Sequence, residues 1–227
     1  MAATPPPPTK TPAPVYVPAT PTPRGPDKLE AGAALDRLTA GNIRFVAQQM
    51  QYPDQAAERR LQAAQAQAPF AAVLCCADAC TPPEVIFDQG LNDLYVVRVA
   101  GNVTDDPIIG SLEYAAEQLG VSLMVVLGHT KCGAVRAALE TIYLGAETPA
   151  HINSLVKAIE PAVQAALMKP GDPWLNAITA NIQLTVTRLQ SSPPTLAQKV
   201  KAKELQIVGA LYDLDTGWVE FLPASTP

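Results

Sequence analysis

Short apolar segments that alternate with helical patterns constrain the fold of this chain more than any other feature of its sequence. Three such segments, at residues 70–75, 94–98 and 123–127, have the length and composition of buried strands. Helical periodicity occurs between the last two, at 108–119, and again at 134–144. Because buried strands joined by helical crossovers form parallel sheets, we expect an α/β domain with a mostly parallel sheet of four or five strands flanked by helices.

Helical patterns also surround the predicted sheet. Ahead of it, apolar residues recur at helical spacing on both sides of Gly41 and Asn42, which we interpret as an interruption. Residues 54–67 have helical propensity. After the sheet segments, residues 152–167 and 174–189 are periodic, so the second half of the chain is predicted to be mostly helical.

The end of the chain has the pattern of a β-hairpin. Apolar runs at 205–212 and 218–222 enclose a turn sequence at 213–217 that is rich in Asp and ends in Gly. We therefore predict that a hairpin extends one edge of the sheet.

Composition predicts one globular domain with an extended N-terminal tail. The chain has 227 residues, 48% of them hydrophobic and 16% charged, which suits a single folded domain. Ten of the 23 prolines lie in residues 1–28, a segment with little to bury. We predict a disordered tail at 1–28, a folded domain at 29–223 and a short tail at 224–227.

Charge and hydropathy argue against two classes of function. The net charge is −5, without the basic block typical of nucleic-acid binding. No window approaches the roughly 20 apolar residues that span a bilayer. The N-terminal tail lacks the apolar segment of a signal peptide, so a cytoplasmic location is the default expectation. Export, for example to the periplasm, is the alternative if the tail is the remnant of a trimmed precursor.

Two predicted strand ends carry the residues with metal chemistry. Cys76, Asp78 and Cys80 follow the first strand, and His129 and Cys132 follow the third. The carboxyl ends of parallel strands meet at the same edge of a sheet. Two thiolates and one imidazole suit zinc, and three protein ligands leave a fourth position open, as in catalytic zinc sites. We predict one zinc ion per chain, bound by Cys76, His129 and Cys132.

The same residues, together with several other segments, carry a resemblance to a known family. The sequence resembles the β-carbonic anhydrases, whose hallmark is Cys-x-Asp-x-Arg followed by His-x-x-Cys. The resemblance covers about residues 29–222 and includes segments 87–90, 96–98, 100–102, 111–115, 128–133 and 212–217. It implies reversible hydration of carbon dioxide to bicarbonate and a proton, by a homodimer or a dimer of dimers.

Site roles are implied by the resemblance residue by residue. It assigns zinc binding to Cys76, His129 and Cys132, and orientation of the reacting water to Asp78. It also implies an N-terminal helical arm that embraces a partner subunit, and a substrate pocket whose aromatic residues act across the dimer interface. The implied substrate-binding residues are Gln67, Tyr95, Tyr114 and Gly133.

One position departs from the family pattern. The arginine that pairs with the aspartate in the family is replaced here by Cys80. A neutral thiol cannot replace the charge and the paired N–H donors with which a guanidinium binds a carboxylate. Three outcomes are open: Asp78 moves onto the zinc, Cys80 binds zinc or pairs with a nearby cysteine, or another cation replaces the arginine. Arg98 is the nearest basic residue in sequence, although the family already has an arginine there.

The departure leaves three functions in competition. The first is a carbonic anhydrase, with turnover that Cys80 can impair. The second is a zinc-binding homologue that has lost catalysis and serves a structural or regulatory role. The third is a carbon disulfide or carbonyl sulfide hydrolase on the same scaffold, which no residue in the sequence positively supports.

Other chemically interesting residues have simpler interpretations. Cys75 is expected in the core at the end of a buried strand. His151, in the helical second half, is expected at the surface. We interpret four acidic residues as helix caps and as surface or interface acids: Asp88, Asp105, Asp106 and Glu113.

Overall fold

A five-stranded sheet forms the centre of the molecule in a computed structural model that describes residues 29–192 and 194–223. The predicted tails at 1–28 and 224–227 lie outside these residues. The sheet order is β2-β1-β3-β4-β5, with β5 antiparallel to β4 and the other neighbours parallel. This confirms the predicted sheet and the edge hairpin. The strands are β1 Ala71–Cys75, β2 Leu94–Arg98, β3 Leu123–His129, β4 Gln206–Tyr212 and β5 Val219–Phe221.

Helices connect and cover the strands. The described residues contain eight α-helices and a single 3₁₀ turn at Ala100–Asn102. The periodic segments all became helices, whereas the short α3 and α8 and the 3₁₀ turn carried no periodic signal. The helices are α1 Ala31–Val46, α2 Ala57–Gln65, α3 Pro83–Ile86, α4 Asp106–Glu117, α5 Gly133–Leu144, α6 Ile152–Ala166, α7 Pro173–Gln190 and α8 Thr195–Lys201.

Both faces of the inner strands β1 and β3 are buried, which is why these strands read as continuous apolar runs. The strand at 94–98, predicted to be buried, is only partly buried because β2 lies at an edge of the sheet. Ala72 and Leu74 of β1 face a core formed with α4 to α8. Their neighbours Ala71, Val73 and Cys75 face a second core that includes α1 and α3. All five residues are fully buried, as predicted for Cys75. This two-sided cover fixes the strand ends where the chemical residues lie.

Helix α1 runs without interruption through Gly41 and Asn42, so the predicted break was wrong. Both residues are buried in the helix. The Asn42 amide donates to the backbone carbonyls of Ile86 (3.2 Å) and Gly217 (2.9 Å) and accepts from the N–H of Val219 (2.9 Å). A polar residue is tolerated there because tertiary partners satisfy its side chain.

The two N-terminal helices differ in how they are covered. Leu38 of α1 is fully buried against the chain's own sheet. Helix α2 has no buried residue, and its Leu61 is 62% exposed. That these N-terminal helices form an arm that packs around a partner subunit remains a prediction. In the described part of the chain, no helix is long and apolar enough to cross a membrane.

Asp88 is buried, so its interpretation as a surface or cap acid was wrong. Its carboxylate accepts hydrogen bonds from Arg44 Nε and from the backbone N–H groups of Gln51 and Tyr52, both at 3.0 Å. Burial raises the pKa of this carboxyl, but the Gln51 N–H, Arg44 and the Tyr52 N–H lower it more, so the net pKa lies below its usual value. Asp105, by contrast, caps α4 as expected.

We expect Asp88→Asn to destabilise the protein by about 2–3 kcal/mol at pH 7, because an amide cannot accept from all three donors. A carboxyl whose pKa is lower in the folded state stabilises the fold above its unfolded pKa, and this contribution disappears as the pH falls through the folded pKa. The difference from wild type should therefore shrink below about pH 4. Urea unfolding from pH 7 to pH 3 measures it.

The control for this substitution is Asp36→Asn, the same change at an exposed position of α1. It should shift the free energy of unfolding by less than about 0.5 kcal/mol at every pH. A constant difference between Asp88→Asn and wild type down to pH 3 would contradict the assigned role of the Asp88 charge.

Candidate metal centre

The carboxyl ends of β1 and β3, which are neighbours in the sheet, bring four predicted site residues together. Cys76 directly follows β1, and Asp78 lies in the loop beyond it. His129 is the last residue of β3, and Cys132 is the N-cap residue of α5. The ligand atoms of these four side chains all lie within 4.8 Å of one another. Parallel pairing of β1 and β3 is the cause of this convergence.

The donor set fits a zinc ion. The Sγ atoms of Cys76 and Cys132 are 3.9 Å apart, and two thiolates on one tetrahedral zinc at about 2.3 Å each lie roughly 3.8 Å apart. Both cysteines and His129 are at most 1% exposed. Two sulfurs and an imidazole nitrogen are soft to borderline ligands, which favours zinc over magnesium or calcium.

The His129 ring is oriented for metal binding. Its Nδ1 lies 2.9 Å from the carbonyl oxygen of Thr130, which can only accept, so in the neutral ring the proton belongs on Nδ1. Its Nε2 is buried and has no hydrogen-bond partner among the described residues. Nε2 lies 3.4 Å from an Asp78 carboxylate oxygen. A buried nitrogen lone pair without a partner is what a metal ligand requires before the metal binds.

The two cysteine sulfurs lie within hydrogen-bond distance of each other. The contact with Cys132, together with His129 and nearby N–H groups, lowers the pKa of Cys76 despite burial. The same contact, and burial, raise the pKa of Cys132. The Gly101 N–H also donates to the Cys76 sulfur at 3.3 Å. The site therefore stabilises negative charge on sulfur, as a divalent cation requires.

Asp78 sits beside the ligands and Cys80 does not. The Asp78 side chain is 38% exposed. Burial raises the pKa of its carboxyl, and the neighbouring Cys76 thiolate raises it further. All four cysteines are free thiols, and Cys80 is exposed and outside the group of four. The carboxylate of Asp78 thus lies within the metal group without the arginine partner of the family pattern.

The implied substrate-binding residues are not all at one place. Gly133 begins α5, and its N–H lowers the pKa of the Asp78 carboxyl, so it is adjacent to the metal group. Tyr95 of β2 and Tyr114 of α4 lie together, with ring centroids 6.3 Å apart. Gln67 is exposed in the segment that leads into β1. The two tyrosines are therefore neighbours at the β2 edge of the sheet.

Two residues that support the centre, Trp174 and Thr81, were missed in the sequence, and the contacts of a third, Arg98, were not predicted. The Trp174 indole N–H donates to the carbonyl of Cys132 at 3.1 Å, which fixes the start of α5 from α7. Arg98 and Thr81 hold the loop that contains Cys76 and Asp78 through its backbone. Sequence spacing has no signal for these contacts because they join side chains to backbone carbonyls far apart in the chain.

Comparison with known proteins gives a consistent family. The family profile described as "Carbonic anhydrase" matches residues 71–219. A carbonic anhydrase of Mycolicibacterium smegmatis is 41% identical over 189 residues, covering 83% of this chain and 91% of the relative. Carbonic anhydrase 2 of Mycobacterium tuberculosis is 38% identical over 185 residues, covering 82% and 89%.

Solved structures agree in fold. The β-carbonic anhydrase CafA of Aspergillus fumigatus superimposes with a TM-score of 0.68 at 24% identity, covering 86% of this chain and 92% of its own. One of two tetrameric β-carbonic anhydrases of Sordaria macrospora gives 0.66 at 20% identity, covering 74% and 87%. The chain belongs to the carbonic anhydrase family, in its β class. Membership of this enzyme family supports hydration of carbon dioxide as the activity of the chain.

Proposed function

We propose that this chain catalyses the reversible hydration of carbon dioxide with one zinc ion held by Cys76, His129 and Cys132. The observation that carries the proposal is the convergence of these three side chains with Asp78 around the partnerless Nε2 of His129. Zinc supplies a Lewis acid that makes water a nucleophile near neutral pH. The donor set, with sulfurs 3.9 Å apart, supports zinc in particular.

The remaining residues would prepare the substrates. Asp78, whose carboxylate is partly open to solvent, would accept a hydrogen bond from the reacting water and so orient it toward carbon dioxide. Cys76 and Cys132 would bind the zinc as thiolates, and the backbone N–H groups that face their sulfurs, such as that of Gly101 for Cys76, would help to stabilise this charge. Thr130 would keep the imidazole of His129 in one tautomer. Substrate contacts would come from Gln67, Tyr95, Tyr114 and Gly133.

Assembly into a homodimer or a dimer of dimers is part of this proposal. The tetrameric β-carbonic anhydrases of Sordaria macrospora have a related fold. In the single chain, β2 is an edge strand, and Tyr114 beside it is 46% exposed. A dimer would cover this edge and both tyrosines. Light scattering during size exclusion would test it, and a monomer at micromolar concentration would contradict it.

Cys80 defines the competing function, a zinc-binding homologue without turnover. We expect the native chain to hydrate carbon dioxide faster than a Cys132→Ala blank, and Cys80→Arg to raise kcat about tenfold by restraining the Asp78 carboxylate. Stopped-flow hydration by reduced, zinc-loaded protein measures both. None of the comparisons supports hydrolysis of carbon disulfide or carbonyl sulfide.

Two control variants at position 80 distinguish the effect of the arginine's charge and shape from the effect of removing the thiol. Cys80→Ala should leave kcat near the native value, and Cys80→Lys, a compact cation without the planar fork, should raise it less than arginine does. If the native chain equals the blank while Cys80→Arg is active, the non-catalytic interpretation replaces ours. If neither turns over although zinc is bound, the proposed reaction is wrong.

A further inference from the structure

The loop between β1 and α3, which carries Cys76 and Asp78, is fastened from the neighbouring strand. Arg98 is the last residue of β2 and pairs in register with Cys75. Its Nε donates to the backbone carbonyl of Cys76 at 3.0 Å, and its Nη2 donates to the backbone carbonyl of Asp78. One planar guanidinium therefore bonds to the backbone of a metal ligand and of the acid beside it.

Thr81 completes this attachment. Its hydroxyl lies 3.0 Å from the carbonyl of Cys76 and 2.9 Å from that of Asp78, so its single proton is shared between them. It accepts from Arg98 Nη2 at 3.3 Å, and the Thr81 N–H donates to the Asp78 carbonyl at 3.1 Å. The backbone of Asp78 is thus held by three donors, and Thr81 itself is 1% exposed.

We infer that Arg98 is the positioning residue for Asp78 in this chain. It does through the Asp78 backbone what the arginine missing at position 80 would do through the carboxylate. The register of β1 and β2 fixes where the guanidinium lies, while the Asp78 carboxylate itself faces His129 and the Gly133 N–H and has no arginine partner among the described residues. The inference rests on the proposed function, because the role of Asp78 in orienting water is part of that proposal.

The positions of the Arg98 hydrogen bonds indicate what their loss would change. Without Arg98, the carbonyls of Cys76 and Asp78 lose their charged donor and only Thr81 still restrains the loop. The metal should remain, because the Cys76 carbonyl keeps its hydrogen bond from Thr81, and Thr130 and Trp174 still hold His129 and Cys132. The carboxylate should move relative to the metal, which lowers kcat because a displaced reactive group loses alignment.

The experiment compares Arg98→Gln and Arg98→Lys with Arg188→Gln, a control at an exposed position of α7. Each protein is loaded with cobalt(II), whose visible absorption reports the ligand arrangement, and kcat, KM and metal content are measured. We expect Arg98→Gln to keep about one metal per chain, change the cobalt spectrum and lower kcat about tenfold at constant KM. Arg98→Lys should change the cobalt spectrum and lower kcat less than Arg98→Gln does. It should still differ from the native protein, because an ammonium cannot bridge all the acceptors.

Repeating the substitution in an Asp78→Ala background tests whether Arg98 acts through Asp78. If it does, Arg98→Gln adds no further change to the cobalt spectrum there. The inference is overturned if the full spectral change persists without Asp78, or if the spectrum and kcat of Arg98→Gln match those of Arg188→Gln. Because the spectrum is read without turnover, a native chain that is inactive would refute the proposed function without deciding the role of Arg98.

Discussion

Replacing Cys132 by alanine should abolish metal binding and lower carbon dioxide hydration at least about a thousandfold, because the ion that makes water nucleophilic near pH 7 is lost. Cys132 supplies one of two sulfurs that face each other at 3.9 Å, and the remaining donors cannot close a tetrahedral thiolate site. Metal analysis by atomic emission and stopped-flow hydration on the same sample measure the two effects. We expect below about 0.1 zinc per chain, against about one in the native protein.

Cys80→Ala is the matched control, since it also removes one thiol from the same rim of the sheet. Cys80 is exposed and outside the group of four, so this variant should keep its zinc. Full zinc occupancy in Cys132→Ala would show that the metal is bound elsewhere. Loss of zinc from Cys80→Ala would place that thiol in the ligand set, which is one of the outcomes that the sequence left open.

Gly41→Ala should cost about 3 kcal/mol or more of unfolding free energy, because there is no space for its methyl group. A Cβ at this position would lie 1.7 Å from the carbonyl oxygen of Phe87 and 2.6 Å from its carbonyl carbon. Both are backbone atoms, so the clash is relieved only by moving α1. That movement would expose Leu38 and disturb the Asn42 hydrogen bonds. Urea unfolding of the zinc-loaded protein measures the loss.

Gly32→Ala provides the comparison within the same helix. A Cβ at Gly32 would have no atom within 4 Å, so helix propensity alone should stabilise this variant by up to about 1 kcal/mol. The two substitutions should therefore differ by about 4 kcal/mol with opposite signs. If both fell within about 1 kcal/mol of native stability, the close packing of α1 on Phe87 would be refuted.

Much of the fold followed from periodicity. Residues buried on both faces of the sheet have to be apolar at every position, so β1 and β3 were visible as continuous runs, with β3 extending to His129. The edge strand β2 was also visible from its apolar residues, although they are only partly buried. The helices that cover the sheet bury one face each, which produced the periodic signal of α4 to α7. Helix α3, with four residues, and α8, with seven, are too short for such a signal.

Polar residues that are buried show where this reasoning fails. Asn42 looked like a helix break and Asp88 like a surface acid, because local propensity assigns both residue types to turns and solvent. Each is instead satisfied by partners from distant segments: Asn42 by Gly217 and Val219, and Asp88 by Arg44. Long-range hydrogen bonds leave no periodic trace in a sequence.

The sequence by itself determined the sheet, its covering helices and the side chains that form the candidate metal group, because residue type sets both burial and ligand chemistry. Only the tertiary structure decided how these groups are held. Parallel pairing of β1 with β3 brings Cys76 to His129, and the register of β2 places Arg98 against the backbone of Asp78. Cys80, two residues from Asp78, lies outside the metal group. Distances between strand ends depend on pairing and register, which residue types alone do not specify.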